Sequence, residues 1–180
     1  MSHTGAHRKE LERNEHWFAV AWLLITFWLL ACAFLIGGEY SDGYNTIANA
    51  RYFFGDNPDY YFQRGPLAAL VLWPVEAILR ALDLSRFDVR PFHIYSGLLH
   101  SAYLVGCWLL LKHSGQSFIS RIIAFAAAIL SVIFFAYAPY LSHDIIPGLL
   151  FLLLIFLCDR WIRNPTVGTS LQLVLLGTAV

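Results

Sequence analysis

Apolar residues in this chain come in long runs, not in alternation. Residues 17–36 are apolar apart from Thr26. Further runs cover 92–111, 119–138 and 141–158, and a last one opens at 171 and is still apolar at 180. Each of the first four can cross the hydrocarbon core of a bilayer, about 30 Å, as a helix. A helix also satisfies its own backbone hydrogen bonds where water is absent. The pattern predicts an all-α membrane protein, a multi-pass helical bundle. Residues 1–16 read as a polar cytoplasmic tail and 17–180 as a transmembrane domain with an outer loop over 37–91. The first run exceeds the roughly 7–15 apolar residues of a signal peptide, so it reads as an uncleaved anchor.

The longest polar interruption is 39–67, EYSDGYNTIANARYFFGDNPDYYFQRGPL. Gly37-Gly38 ends the first helix. Ser41 can cap the next one, with Asp42 in its first turn, where the helix dipole favours an acid. Tyr44, Ile47, Ala48 and Tyr52 recur at helical spacing and predict an apolar stripe on a surface helix. Gly55-Asp56-Asn57-Pro58 breaks that helix, and Tyr60-Tyr61-Phe62 suits the headgroup level. In 66–82, Pro74, Glu76 and Arg80 sit where a spanning helix wants none. Glu76 and Arg80 are four apart and can pair. The expectation is a second amphipathic interfacial helix. Its rival is a true span, which would invert the sidedness of everything downstream.

The run 92–111 carries His93, Ser96, His100 and Ser101 on roughly one side. That side is expected to face other helices, with packing the expected role of both histidines. Short loops rich in Lys and Arg stay cytoplasmic. Four spans put Arg8, Lys9, Arg13, Lys112, Arg121, Arg160 and Arg163 on the inner side, and Asp42 and Asp144 together on the outer side.

Composition agrees. The chain is 58% hydrophobic and 13% charged, with a mean hydropathy of +0.59, too apolar for an ordinary soluble domain. Twelve basic residues balance twelve acidic ones, which gives nucleic acid no foothold. Cys32, Cys107 and Cys158 all fall in apolar runs without metal-ligand spacing, and read as free, buried cysteines.

Candidate chemistry rests on the two acids. A carboxylate at the edge of an apolar helix, as at Asp144, is either functional or a helix cap. Two carboxylates on one face can divide labour, one taking a proton and the other placing a cation or a phosphate's partner. Arg64 can bind a phosphate by paired hydrogen bonds, or snorkel to headgroups.

In order along the chain come a first span, Asp42-Gly43-Tyr44 with Ala48 and Ala50, and the aromatic segment Gly55 to Phe62. Arg64-Gly65-Pro66-Leu67 follows, and His143-Asp144-Ile145-Ile146-Pro147 comes after the third span. In this order the chain resembles the N-terminal part of membrane glycosyltransferases of the GT-C type, in the group of protein O-mannosyltransferases and aminoarabinose transferases. It departs from them in having Gly43 where many have Glu, and Gly65 where many have Pro. The resemblance implies transfer of a sugar from a polyprenyl-phosphate carrier in the bilayer to an acceptor at the outer, periplasmic or luminal, face. A bacterial inner membrane is favoured over the endoplasmic reticulum. It implies Asp42 as acceptor-side base, Asp144 as organiser of the donor or of a divalent cation, and Arg64 on the donor phosphate. Tyr44, Tyr61 and His143 would line the site, and any metal would sit on Asp42 and Asp144. The two carboxylates are expected within roughly 10 Å of each other. Relatives have further spans, so a C-terminally truncated chain, inactive alone, is also expected. The rival classes are a transporter or channel component, with His93, His100 and Asp144 along a path, and a non-catalytic membrane scaffold.

Overall fold

The computed structural model describes residues 3–36, 41–56, 58–61, 66–84, 88–130 and 145–177, with the side chains of all these except 3–13, 41, 42 and 177. Among the described residues every regular element is a helix: α1 (His3–Leu35), α2 (Ser41–Tyr52), α3 (Pro66–Ala81), α4 (Arg90–His113), α5 (Phe118–Leu130), α6 (Ile145–Arg163) and α7 (Val167–Gly177). Three of them are long and apolar enough to cross a membrane, over Asn14–Leu35, Arg90–His113 and Ile145–Arg163.

The bounds differ from the sequence expectation in several places. The polar residues before Trp17 continue α1 back to His3, because Arg, Lys and Glu are good helix formers. The loop after α4 shrinks to 114–117, where Gly115 takes φ 72°. There the amides of Gly115 and Gln116 reach back to the carbonyls of Lys112 and Leu111, closing the helix in a Schellman turn. The fourth apolar run starts its helix at Ile145 and carries it to Arg163. The turn between the fourth and last runs is short, 164–166. Thr166 and Thr169 exchange hydrogen bonds between backbone N–H and side-chain hydroxyl, at 3.1 and 3.2 Å. That reciprocal cap starts α7 at Val167, ahead of the expected 171. Only 118–130 of the third run is described, and 131–138 lies outside.

Helix directions follow from the contacts. Trp22 Nε1 donates to the Ser101 carbonyl at 3.2 Å, and the Thr26 and Ser101 hydroxyls bond at 2.7 Å. Deeper along the pair, Gly97 lies against Leu29 and Leu30, and the Arg90 guanidinium sits 5.5 Å from the Phe34 ring. Helices α1 and α4 are therefore antiparallel. Gly148 meets Tyr103, Gly106 meets Leu152, and His113 Nε2 donates to Asp159 at 2.7 Å. Helices α4 and α6 are therefore parallel. A Cβ at Gly106 would come 3.1 Å from Leu152 Cδ1, so a larger residue there requires that leucine to shift, and glycine lets the helices approach.

The polar side of α4 faces inward as expected. His93, Ser96, His100 and Ser101 are all buried, and His100 Nδ1 donates to the Ser96 carbonyl at 2.9 Å. The α1–α4–α5 core is built on Phe18, Leu29, Leu104, Trp108 and Phe125, with Phe18 stacked on Trp108 at 3.8 Å. At its α1 N-terminal side a single carboxylate, Glu15, accepts from Trp108 Nε1 at 3.2 Å, Arg121 at 3.0 Å and Lys112 at 3.2 Å. The Arg121 guanidinium lies 4.6 Å from the Trp108 ring. None of the three cysteines forms a disulfide; Cys158, expected buried, is exposed.

Candidate functional site

Leu35 and Arg90 lie at the same end of the bundle, since α1 and α4 are antiparallel with Phe34 beside Arg90. Helices α2 and α3 therefore leave and return at one end and make no net crossing. Ile145 opens α6 at that end too, because α6 runs parallel to α4. Helix α2, whose first turn includes Asp42, belongs to this end.

Helix α2 packs on α3 through Ile47 and Ala50, which meet Ala69, Leu72, Val75 and Leu79, with Val89 and Phe92 of the α4 entry completing the cluster. The expected stripe of Tyr44, Ile47, Ala48 and Tyr52 is divided, with Ile47 buried against α3 and both tyrosines facing outward. Gly43, Thr46, Ile47 and Ala50 form the inward face, while Tyr44 and Tyr52 are exposed. The spacing of 43, 46, 47 and 50 is as helical as that of the tyrosines, and the smaller residues allow α3 to approach closely.

At the C-terminus of α2 the chain turns through Gly55, φ 78°. The amides of Gly55 and Asp56 bond the carbonyls of Tyr52 and Arg51 at 2.9 and 3.2 Å, a Schellman turn that realises the break expected there. The following segment is bound back onto α2 by Asn49. Its Nδ2 donates to the Tyr61 carbonyl at 3.0 Å, and its Oδ1 accepts the Tyr61 amide at 2.7 Å. Tyr60 packs edge-on to Tyr52 and Phe53 at 5.3 and 6.0 Å. An open polar cleft of about 370 Å³ results, lined by Tyr44, Asn45, Ala48, Arg51, Asp56 and Tyr61, with Ile47 at its floor.

Beneath the cleft Glu76 is fully buried. One carboxylate oxygen accepts Arg51 Nε and the other Arg80 Nε, each at 3.3 Å. The expected Glu76–Arg80 pair is present, joined by an unforeseen partner from α2. Arg80 also pairs with Asp56, and its guanidinium stands 4.1 Å over the Phe54 ring, which stacks on Trp73. Farther out, Arg90 donates to Asp88 at 2.8 Å, and this bond holds the Asp88 carboxyl below its ordinary range.

Of the residues expected to act, Tyr44 and Tyr61 line the cleft together. Asp42 lies in the first turn of α2 by its backbone, while its side chain and Arg64, His143 and Asp144 lie outside the described residues. The expected approach of the two carboxylates, and any cation between them, falls there too. The cleft residues missed from sequence are Asn45, Arg51 and Asp56. The available signal was the spacing of 44, 45, 48 and 51, which share a helix side. In the cleft an arginine, an acid, an amide and two phenols combine. This set can hold a phosphate on Arg51 while hydrogen-bonding hydroxyls elsewhere.

Asn49→Ala removes both bonds to Tyr61. The expected result is a loss of about 1–3 kcal/mol and faster hydrogen exchange at the Tyr61 amide. An unchanged exchange rate would mean that this contact does not hold the cleft wall.

No protein-family model matches the chain, and neither a curated protein nor a solved structure does.

Proposed function

We propose that this chain is a multi-pass membrane glycosyltransferase that moves a sugar from a polyprenyl-phosphate carrier to an acceptor at the outer face. The observation that carries the reading is the shared end of the bundle. The entry of α2, which bears Asp42, and Ile145, the residue after Asp144, belong to that end, together with the polar cleft. Asp42 takes the acceptor's proton as its oxygen or nitrogen attacks the anomeric carbon. Asp144 organises the donor, directly or through a divalent cation. Arg64 and Arg51 supply positive charge for the donor phosphate as the sugar–phosphate bond breaks.

The surroundings suit a lipid-borne donor. On α3 the residues Leu70 and Ile78 are exposed, as is Leu82 just beyond its end, and this apolar surface is fit for the acyl boundary. On α1 the exposed Leu23, Leu24, Phe27 and Leu35 suit contact with lipid. A prenyl chain can stay in hydrocarbon while its headgroup reaches the cleft. The polar groups inside α4 favour no permeation path. Ser101 is hydrogen-bonded to α1 and His100 to its own helix, as interhelical packing requires.

The test is sidedness combined with transfer. Asp42→Cys and Asp144→Cys, each in a background with Cys32, Cys107 and Cys158 replaced by Ala, are expected to react with an impermeant maleimide from one side of sealed vesicles. Arg163→Cys is expected to react from the other. Membranes holding the full-length protein are expected to release polyprenyl phosphate from a labelled polyprenyl-phosphate sugar. Labelling of 42 and 144 from opposite sides would overturn the reading.

A further inference from the structure

We infer that the crevice between α6 and α7 binds an anionic phospholipid of the surrounding leaflet, with its phosphate at Arg160 and an acyl chain between the helices. This site is at the opposite end of α6 from Ile145. It needs a bilayer around the helices but not sugar transfer.

The two helices form an antiparallel hairpin. Its closed end is fixed by the Thr166–Thr169 cap and by Trp161 Nε1 donating to Ser170 Oγ at 2.9 Å. The crevice is an open groove of about 460 Å³ lined by Leu153, Leu157, Arg160, Gln172, Leu175 and Leu176. These six residues are graded in polarity. Positions 153, 157 and 160 follow one side of α6, so the lining runs about 10 Å from apolar to cationic at 1.5 Å per residue. On α7, Gln172 is nearer the turn and Leu175 and Leu176 farther from it. The polar pair therefore sits toward the turn and the four leucines toward the bundle's interior, the polarity profile of a phospholipid.

Charge selects the headgroup. Among the described residues Arg160 meets no carboxylate. The nearby acid, Asp159, is already shared by Arg163 Nε at 3.0 Å and His113 Nε2 at 2.7 Å. The hairpin end thus carries an excess of positive charge with an exposed guanidinium at the mouth of an apolar crevice. A basic site between helices is matched by an anionic lipid. A zwitterionic headgroup would bring its own cation against Arg160.

The experiment is native mass spectrometry of the full chain in detergent, with phosphatidylglycerol and phosphatidylcholine of identical acyl chains. The wild type is expected to retain phosphatidylglycerol preferentially. Arg160→Gln is expected to lower that preference about five-fold. Leu157→Trp, which fills the crevice, is expected to reduce retention of both lipids. Arg163→Gln, whose side chain serves Asp159 and not the crevice, is expected to leave the preference in place. Equal retention of the two lipids by the wild type would overturn the inference. So would an unaltered preference in Arg160→Gln, unchanged retention in Leu157→Trp, or an equal fall in Arg163→Gln. Because Asp42 belongs to the other end, each of these results leaves the sugar-transfer reading standing or falling on its own test.

Discussion

Asp42→Asn is expected to slow sugar transfer by about 10²- to 10⁴-fold while the protein still folds. Removing a general base costs on that order, and each tenfold corresponds to about 1.4 kcal/mol of barrier. The competing explanation is a weakened helix. Asp42 lies in the first turn of α2, where loss of its charge costs only about 0.3–1 kcal/mol. That is too little to melt α2, which is anchored to α3 through Ile47 and Ala50. A large fall in turnover with an unchanged unfolding temperature therefore isolates chemistry. Transfer within threefold of the wild type would remove Asp42 from the reaction.

The second large effect is expected at Glu76, and it concerns stability. Glu76→Ala leaves Arg51 and Arg80 in a pocket with no carboxylate between them. Truncating one member of a buried charge cluster costs about 3–5 kcal/mol, mostly because the remaining charges lose their compensation. Asp56 pairs with Arg80 from the cleft side, but it is partly exposed and cannot replace a fully buried acid. The α2–α3 unit is expected to open first, seen as early protease cleavage between 52 and 66 and a lowered unfolding temperature. Adding Arg51→Met to Glu76→Ala is expected to recover part of the loss, since the cluster then holds one cation fewer. A cost below about 1 kcal/mol for Glu76→Ala would mean that water already reaches the cluster.

Much of the scaffold was legible in the apolar runs. A stretch such as 17–36 leaves few choices of secondary structure, and the polar side of α4 pointed inward because His93 and Ser96 need partners. The Gly55 turn was equally readable, since few other residues accept its φ. The α2 face was not. Gly43 and Thr46 carry little apolar bulk, so a hydrophobic count does not mark them as the face that packs on α3. What decides the packing is how closely α3 can approach, which a count along one helix does not include. The same limit hid Arg51. Its bond to Glu76 spans 25 positions, and local spacing finds only the partner four residues away, Arg80. The cleft depends on a further long-range tie, Asn49 to Tyr61, for which neither residue type carries a signal.

The Glu15 node has a consequence for biogenesis. Its donors Trp108 and Arg121 lie 93 and 106 positions later, with Lys112 between them. When the first helix leaves the ribosome and enters the bilayer, these later donors have not yet been made. Its placement stays provisional until α4 and then α5 are synthesised, and the last of them locks three helices at once. A mutation at Glu15 should thus be felt as a weakened finished protein, in which α4 and α5 lose their common partner, more than as poor insertion during translation.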